Sequence, residues 1–208
     1  MAMTDPLQSQ FDAWAASYDE DVTGAGFPFD GYARVLARVV ALAAPAPGRT
    51  LLELGPGTGN LTARLLAGGA AVWAVDFSAE MLAIARAKAP AAHFAQAHLL
   101  GDYPPDVRRP YDAIVATYVL HEFPTADKLA LLRRLAGASL RPGGRIVVGA
   151  IGFPPAAARA ALRRASGDAW DEEHYWIMDE IGPDLRAAGF ALDYEQLSSC
   201  GLVLTLAP

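Results

Sequence analysis

The sequence predicts an α/β fold built on a mostly parallel sheet, with one antiparallel strand near its end. Three observations predict it. Short apolar runs alternate with amphipathic stretches along most of the chain, the order of crossover units. The run Thr50–Leu54 opens into the glycine-rich turn Gly55-Pro56-Gly57-Thr58-Gly59, and an apparent helix follows. The last two apolar runs, Ala191–Ser198 and Gly201–Leu206, are separated only by Ser199-Cys200. So short a connection forces an antiparallel hairpin, because a parallel return needs a dozen or more residues.

At 208 residues the chain reads as one domain, 1–208, large enough for a full core. Charged residues make up 19% and apolar ones 53%, the balance of a globular protein. A net charge of -6 and a pI near 5.1 argue against a nucleic-acid partner. The basic pairs Arg108-Arg109, Arg133-Arg134 and Arg163-Arg164 read as solvated faces. The single cysteine, Cys200, excludes an intrachain disulfide and a cysteine-based zinc cluster. No apolar run approaches the ~18 residues of a membrane span. Asp5 stands early and no apolar run follows it, so no secretory signal is expected. The expectation is a cytoplasmic protein without a membrane partner, of open oligomeric state.

In chain order, residues 1–10 read as a mobile tail. Phe11, Trp14 and Tyr18 then recur at helical spacing. Two readings of this stretch stand: packing onto the main body, or a lid within residues 1–30 whose Tyr18 and Asp19 face a pocket. Val22–Phe29 is a loop. Tyr32–Ala44 is an amphipathic helix with Val35, Leu36, Val39, Val40 and Ala43 on one stripe. Thr50–Leu54 is a buried strand and Asn60–Ala67 a helix closed by Gly68-Gly69. Ala71–Val75 is a strand ending at Asp76, and Ser78 caps a helix through Lys88. His93–His98 is a short strand and Asp112–Leu120 a strongly apolar one. Thr125 caps a helix from Asp127 to Ala138. Pro142-Gly143-Gly144 is a turn before the strand Arg145–Ile151. Residues 154–178 hold a helix over Pro154–Ala165 and a polar, aromatic stretch, and a further helix runs from Asp179 to Ala188.

The glycine turn has the form of a nucleoside site. The dinucleotide fingerprint requires G-x-G-x-x-G. Gly55 and Gly57 meet its first two positions, but Asn60 stands where the third glycine belongs, and Gly59 comes early. Asp76, at the end of the next strand, can accept both hydroxyls of a ribose. A nicotinamide-dependent oxidoreductase is therefore disfavoured.

Four motifs in order carry a family resemblance. They are Glu53-Leu54-Gly55-Pro56-Gly57-Thr58-Gly59, Asp76-Phe77-Ser78-Ala79-Glu80-Met81-Leu82, Tyr111-Asp112-Ala113-Ile114-Val115, and Leu140-Arg141-Pro142-Gly143-Gly144-Arg145. Together they resemble the class I S-adenosylmethionine-dependent methyltransferases over essentially the whole chain. The N-terminal Phe11-Asp12-Ala13-Trp14 with Ser17-Tyr18-Asp19 is similar to small members of that family. The resemblance implies a Rossmann-like, doubly wound, seven-stranded sheet whose last strand is inserted antiparallel. It implies S-adenosyl-L-methionine as methyl donor and a small-molecule acceptor. A non-catalytic protein that only binds the donor is the alternative.

The resemblance also implies roles for residues. Gly55, Pro56, Gly57 and Gly59 form the turn that the donor approaches, and helix N–H groups near Asn60 and Leu61 meet its carboxylate. Glu53 either holds the ammonium through water or satisfies loop N–H groups. Asp76 binds the ribose, and Phe77 and Met81 flank the adenine. His98 stands where many members carry an acid that meets the adenine amino group. His98 and the backbone of Leu99 are favoured at that edge over Asp102. Thr117 to Glu122 face the methyl group, with His121 the candidate base and Glu122 next. Tyr18, His174, Tyr175 and Trp176 are candidates to roof the acceptor pocket, with 154–178 as an inserted segment over it; Trp170, Tyr175 and Trp176 read equally as ordinary packing of an inserted helix. His121, Glu122 and His174 match no metal-ligand spacing, so no metal is expected.

Overall fold

The computed structural model describes residues 6–24, 26–167 and 170–208. Helices α1 (Pro6–Trp14), α2 (Tyr18–Asp21) and α3 (Tyr32–Ala43) precede the sheet. Then follow β1 (Thr50–Leu54), α4 (Asn60–Ala67), β2 (Ala71–Asp76), α5 (Ala79–Lys88), β3 (His93–Gln96) and β4 (Tyr111–Thr117). The second half runs α6 (Thr125–Ala138), β5 (Leu140–Phe153), α7 (Ala156–Ser166), β6 (Trp176–Ile177), α8 (Met178–Ala187), β7 (Ala191–Gln196) and β8 (Gly201–Ala207).

The strand order is β3-β2-β1-β4-β5-β8-β7, and β8 lies antiparallel to both neighbours. This is the Rossmann-like sheet with one inserted antiparallel strand. The strand count is eight, not seven. β5 overruns the sheet, and its Gly152 and Phe153 pair with Trp176 and Ile177 of β6 off the main path. A Cβ at Gly152 would meet the Trp176 carbonyl at 2.9 Å, so the missing side chain allows this pairing.

The central strands are buried on both faces, as parallel strands between helices must be. Successive side chains point to opposite faces. Leu52, Ile114 and Ile146 therefore join one core with Leu132 of α6 and Leu185 of α8. Leu51, Val115 and Val147 join the other with Val35 and Val39 of α3 and Leu65 of α4. Ser78 caps α5 as expected: its hydroxyl oxygen accepts the Met81 N–H at 3.1 Å.

Other boundaries differ for physical reasons. Residues 1–5 of the expected tail lie outside the described residues, and residues 6–10 are helical. α1 buries none of its residues, and the aromatic stripe announces only its second half through Phe11 and Trp14. β3 stops at Gln96, short of His98. Pro124, not Thr125, stands at the cap of α6, and no side chain caps it. The expected turn at 142–144 is absorbed into β5 as a bulge, where the register jumps from Tyr111↔Leu140 to Ala113↔Arg145. β4 ends at Thr117 rather than Leu120, because Tyr118 turns to φ 51. No helix among the described residues is long and apolar enough to cross a membrane.

Asp112 locks the far end of the sheet. Its Oδ2 accepts the Thr50 N–H at 2.7 Å and the Arg141 guanidinium at 2.7 Å, joining β1, β4 and β5. Partial burial alone would raise the carboxyl; the Thr50 hydrogen bonds and Arg141 outweigh it and hold the carboxyl below its usual value. A depressed carboxyl stabilises the fold above its unfolded pKa and loses that contribution as pH falls through the folded value. Asp112→Asn should cost about 1–2 kcal/mol near pH 7. In urea melts the gap to wild type should close as pH drops below roughly 4; a gap independent of pH would refute the ionic contribution.

Candidate donor and acceptor site

The site lies where the chain order reverses. From β1 the chain builds outward to β2 and β3, then returns to place β4 on the other side of β1. Ligands bind at such a switch point, outside the carboxyl ends of the strands. Three glycines turn the chain there, all left-handed, at φ 63, 54 and 87 for Gly55, Gly57 and Gly59. A Cβ on Gly55 would lie 2.5 Å from the Val119 side chain, and one on Gly59 would lie 3.2 Å from Ala85 of α5. Gly57 instead faces open space, 4.0 Å from Met81 Sδ and Tyr18 Cε1.

Two buried acids flank this turn. Glu53 has no exposed surface; its Oε2 accepts the Thr62 hydroxyl at 2.6 Å, while Oε1 has no hydrogen-bond partner. Burial pushes its carboxyl up to about 8, with Thr62 opposing and Asp76 adding. Asp76 accepts the Gly57 N–H at 3.1 Å and the Ser78 N–H at 3.0 Å. Burial raises this carboxyl too, against those backbone donors.

A cleft of about 30 Å³ opens between these acids and the end of β4. Tyr18, Gly55, Gly57, Asp76, Phe77, Met81, His98 and Thr117 all line it. Glu53, Pro56, Gly59 and Asn60 lie outside its wall and shape the turn. Leu99 departs from expectation. Its side chain is buried in the core, and its carbonyl accepts Tyr103 at 2.9 Å and Arg134 at 2.7 Å. His98 faces the cleft beside Phe77 and Phe123, whereas Asp102 is exposed and lines neither this cleft nor the larger cavity beside it.

The N-terminal helices lie across the cleft. Phe11 meets Phe77 edge-on at 5.6 Å, and Asp12 Oδ1 accepts the Ser78 hydroxyl at 2.5 Å. Asp19 accepts the Thr58 hydroxyl at 2.6 Å, the Asn60 amide at 2.9 Å and the Lys88 ammonium at 2.6 Å. Burial would raise the Asp19 carboxyl, but these donors hold it below its usual value. The anchoring role of Asp12 has no sequence signal, since in sequence an Asp on a helix reads like any solvated residue.

Beside the cleft lies a cavity of about 480 Å³. Phe11, Tyr18, Tyr118 and Glu122 line both spaces. The left-handed Tyr118 ends β4 and starts a 3-10 turn, Leu120–Glu122, which carries His121 and Glu122 to the cavity wall. His121 Nε2 lies 3.5 Å from Glu122 Oε1 and 3.6 Å from Glu173 Oε2. Sequence spacing missed Glu173, because 52 residues separate it from His121. Of the expected roof, Tyr18 and Tyr175 line the cavity. His174 does not; its carbonyl accepts the buried Lys128 ammonium. Trp176 is fully buried in the core. Trp170 stacks on Phe27 at 4.9 Å.

The residues present fit S-adenosylmethionine. A strand-end acid faces the cleft, apolar side chains form its walls, and a buried carboxylate oxygen beneath the turn lacks a donor. Comparison with known proteins agrees. Residues 52–146 match the family described as a methyltransferase domain. An uncharacterised methyltransferase of Geobacillus kaustophilus is 34% identical over 204 residues, covering 89% of each chain. The Bacillus subtilis uncharacterised methyltransferase YrrT is 30% identical, covering 89% of this chain and 90% of its own. Among solved structures, DhpI in complex with SAH shares the fold at a TM-score of 0.74 and 23% identity, over 97% of this chain and 94% of that one. The magnesium protoporphyrin IX methyltransferase of Synechocystis with bound SAH does so at 0.75 and 20%, over 96% and 97%. Identity above 30% along almost the whole of both chains goes beyond a shared fold: the protein belongs to the class I S-adenosylmethionine-dependent methyltransferases.

Proposed function

We propose that this enzyme methylates a small-molecule acceptor bound in the 480 Å³ cavity. One observation carries this reading: Phe11, Tyr18, Tyr118 and Glu122 wall both the cavity and the donor cleft, so donor and acceptor meet across them. The volume falls within the range of about 300–1,000 Å³ for small-molecule sites. We keep with it the expectation of action in the cytoplasm on a substrate other than nucleic acid.

S-adenosylmethionine supplies an electrophilic methyl group on a sulfonium. The chain's own residues hold and orient the reactants. Asp76 binds the ribose hydroxyls, with carboxylate lone pairs left beyond the two N–H groups it accepts. Phe77, Met81 and His98 flank the adenine. The partnerless Oε1 of Glu53 supports an ammonium contact through water. Gly57 lets the backbone face the donor, and Pro56, Gly59 and Asn60 set the turn. Thr117 and Tyr18 border the methyl group, and His121 serves as base where the acceptor carries a proton. Asp171, Glu173 and Tyr175 line the cavity, which supports residues 154–178 as its roof.

α1 and α2 lie across the cleft, joined to its rim through Asp12 and Asp19. This supports reading them as a lid that moves aside for the donor, with Asp12 and Asp19 as its latches. Incubation with S-adenosylmethionine and a metabolite panel tests the activity. Conversion to S-adenosylhomocysteine with an acceptor supports it, and binding without turnover by any acceptor contradicts it.

Three substitutions probe the residue roles. Asp76→Ala should weaken S-adenosylhomocysteine binding roughly 10- to 100-fold by calorimetry, the loss of hydrogen bonds to a charged group. His121→Ala should leave that affinity intact and lower turnover by about 10²- to 10⁴-fold. Glu53→Gln should separate stability from binding. Because the Glu53 carboxyl is raised from 4.5 to about 8, the folded protein holds a proton that the unfolded chain has lost, and stability falls as pH rises across that window. The Gln variant should melt about 2–4 °C higher per kcal/mol regained at pH 8 and match wild type near pH 4. Its donor affinity should fall; unchanged affinity would remove the ammonium role.

A further inference from the structure

The cavity has a one-sided chemistry. Its ionisable lining consists of His121, Glu122, Asp171 and Glu173, beside tyrosines, and among the described residues no lysine or arginine lines it. The rest of its wall is largely aromatic, including Trp14, Phe27, Phe29 and Tyr175. Ring faces carry negative charge and attract cations, most strongly where water is excluded. Carboxylates and aromatic faces together make a cation site.

The side chains at the focus are incompletely matched. Glu173 Oε2 is shielded from water and has no hydrogen-bond partner, and His121 Nε2 lies 3.6 Å from it. His121 is only 6% exposed, and its Nδ1 also lacks a partner. Lys128 of α6 does not fill this gap, because its ammonium donates to the His174 carbonyl and lies 4.9 Å from the Trp176 ring centre. Burial raises the Glu173 carboxyl, and Glu122 and Asp171 raise it further, against His121 and Lys128. Like charges crowded in a poorly solvated site favour a cationic guest.

We propose that the acceptor is an amine, bound as its cation between these carboxylates and rings and methylated on nitrogen. This rests on the donor site proposed above. An anionic acceptor would face three carboxylates and no basic residue among the described lining. A neutral alcohol would leave the acidic charge uncompensated. In the transfer, the ammonium gives one proton to His121, and the freed nitrogen lone pair forms the N–C bond. The S–C bond of the donor breaks with its electron pair left on sulfur, and the product leaves as a methylammonium while His121 returns its proton to water. A divalent cation is the other guest that His121, Glu122 and Glu173 can take, since their ligand atoms lie within 4.8 Å of one another. The aromatic wall favours the organic cation, because rings are not ligands for a hard metal ion.

Calorimetry on the full chain saturated with S-adenosylhomocysteine tests this with probes of closely similar shape and different charge: phenethylamine, 2-phenylethanol and phenylacetate. Saturation is measured first, so failure of the donor site shows separately as failure of S-adenosylhomocysteine to bind. The expected result is phenethylamine binding at least ten-fold tighter than the alcohol, with the carboxylate weakest. Glu173→Gln should lower the amine affinity at least ten-fold without changing that for S-adenosylhomocysteine. Asp171→Asn, at a residue that lines the cavity and not the donor cleft, repeats the measurement after a circular-dichroism check should the first variant misfold. Absence of an amine preference, including no binding by any probe, overturns the proposal. So does an amine affinity that neither substitution changes. Tight Mg²⁺ or Zn²⁺ binding that Glu173→Gln abolishes, without amine preference, assigns the cluster to a metal instead and also overturns it.

Discussion

A single buried carboxylate braces the donor end of this molecule. Asp76 accepts one N–H from the turn after β1 and one from the start of α5. It can do so because β1 and β2 pair in parallel with Leu54 opposite Val75, and the Gly55 N–H continues that ladder to the Val75 carbonyl at 2.8 Å. Three left-handed glycines then bend the chain around the acid. The sheet register sets the height of both loops, and the acid fixes their separation. Burying a carboxylate is costly unless donors pair with it, and the two N–H groups leave Asp76 with lone pairs free for the proposed ribose contact.

The acceptor end depends on a second local break. A non-glycine residue in the left-handed region costs roughly 1–2 kcal/mol. Tyr118 adopts that conformation, stops β4 and turns His121 and Glu122 toward the cavity. Its N–H still donates to the Gly149 carbonyl at 3.0 Å, so the strand is redirected and not frayed. The resulting turn meets the 171–175 stretch, where the His174 N–H donates to the His121 carbonyl at 3.0 Å. Lys128 fastens the same stretch from α6. The cleft and the larger cavity thus share a wall because one strand ends early.

Much of the fold was legible because burial dictates residue type. Strands covered on both faces are apolar along most of their length, so Thr50–Leu54, Ala71–Val75 and the core of β4 declare themselves, with Glu53 the buried exception. Ser78 announces a helix start through its own capping chemistry. α1 was missed from Pro6 because it buries no residue and is held by single contacts such as Asp12 to Ser78. The bulge within β5 was read as a turn, since Pro142-Gly143-Gly144 carries the same residues that a turn uses. The residues that gather at the glycine turn were legible because they are local, one strand end and one turn at a time. The wall of the larger cavity was not. Glu173 comes from a segment far along the chain, and only the packing of 171–175 on the turn after β4 brings it to His121.

The central claim is that the donor binds between the glycine turn and the N-terminal helices. Amide hydrogen exchange with and without S-adenosylhomocysteine tests it most directly. Slowed exchange is expected at residues 55–60 and 76–82 and across 7–21, with little change at the Asp112 end of the sheet. Protection elsewhere, with exchange at 55–60 and 7–21 unaltered by saturating ligand, would contradict it.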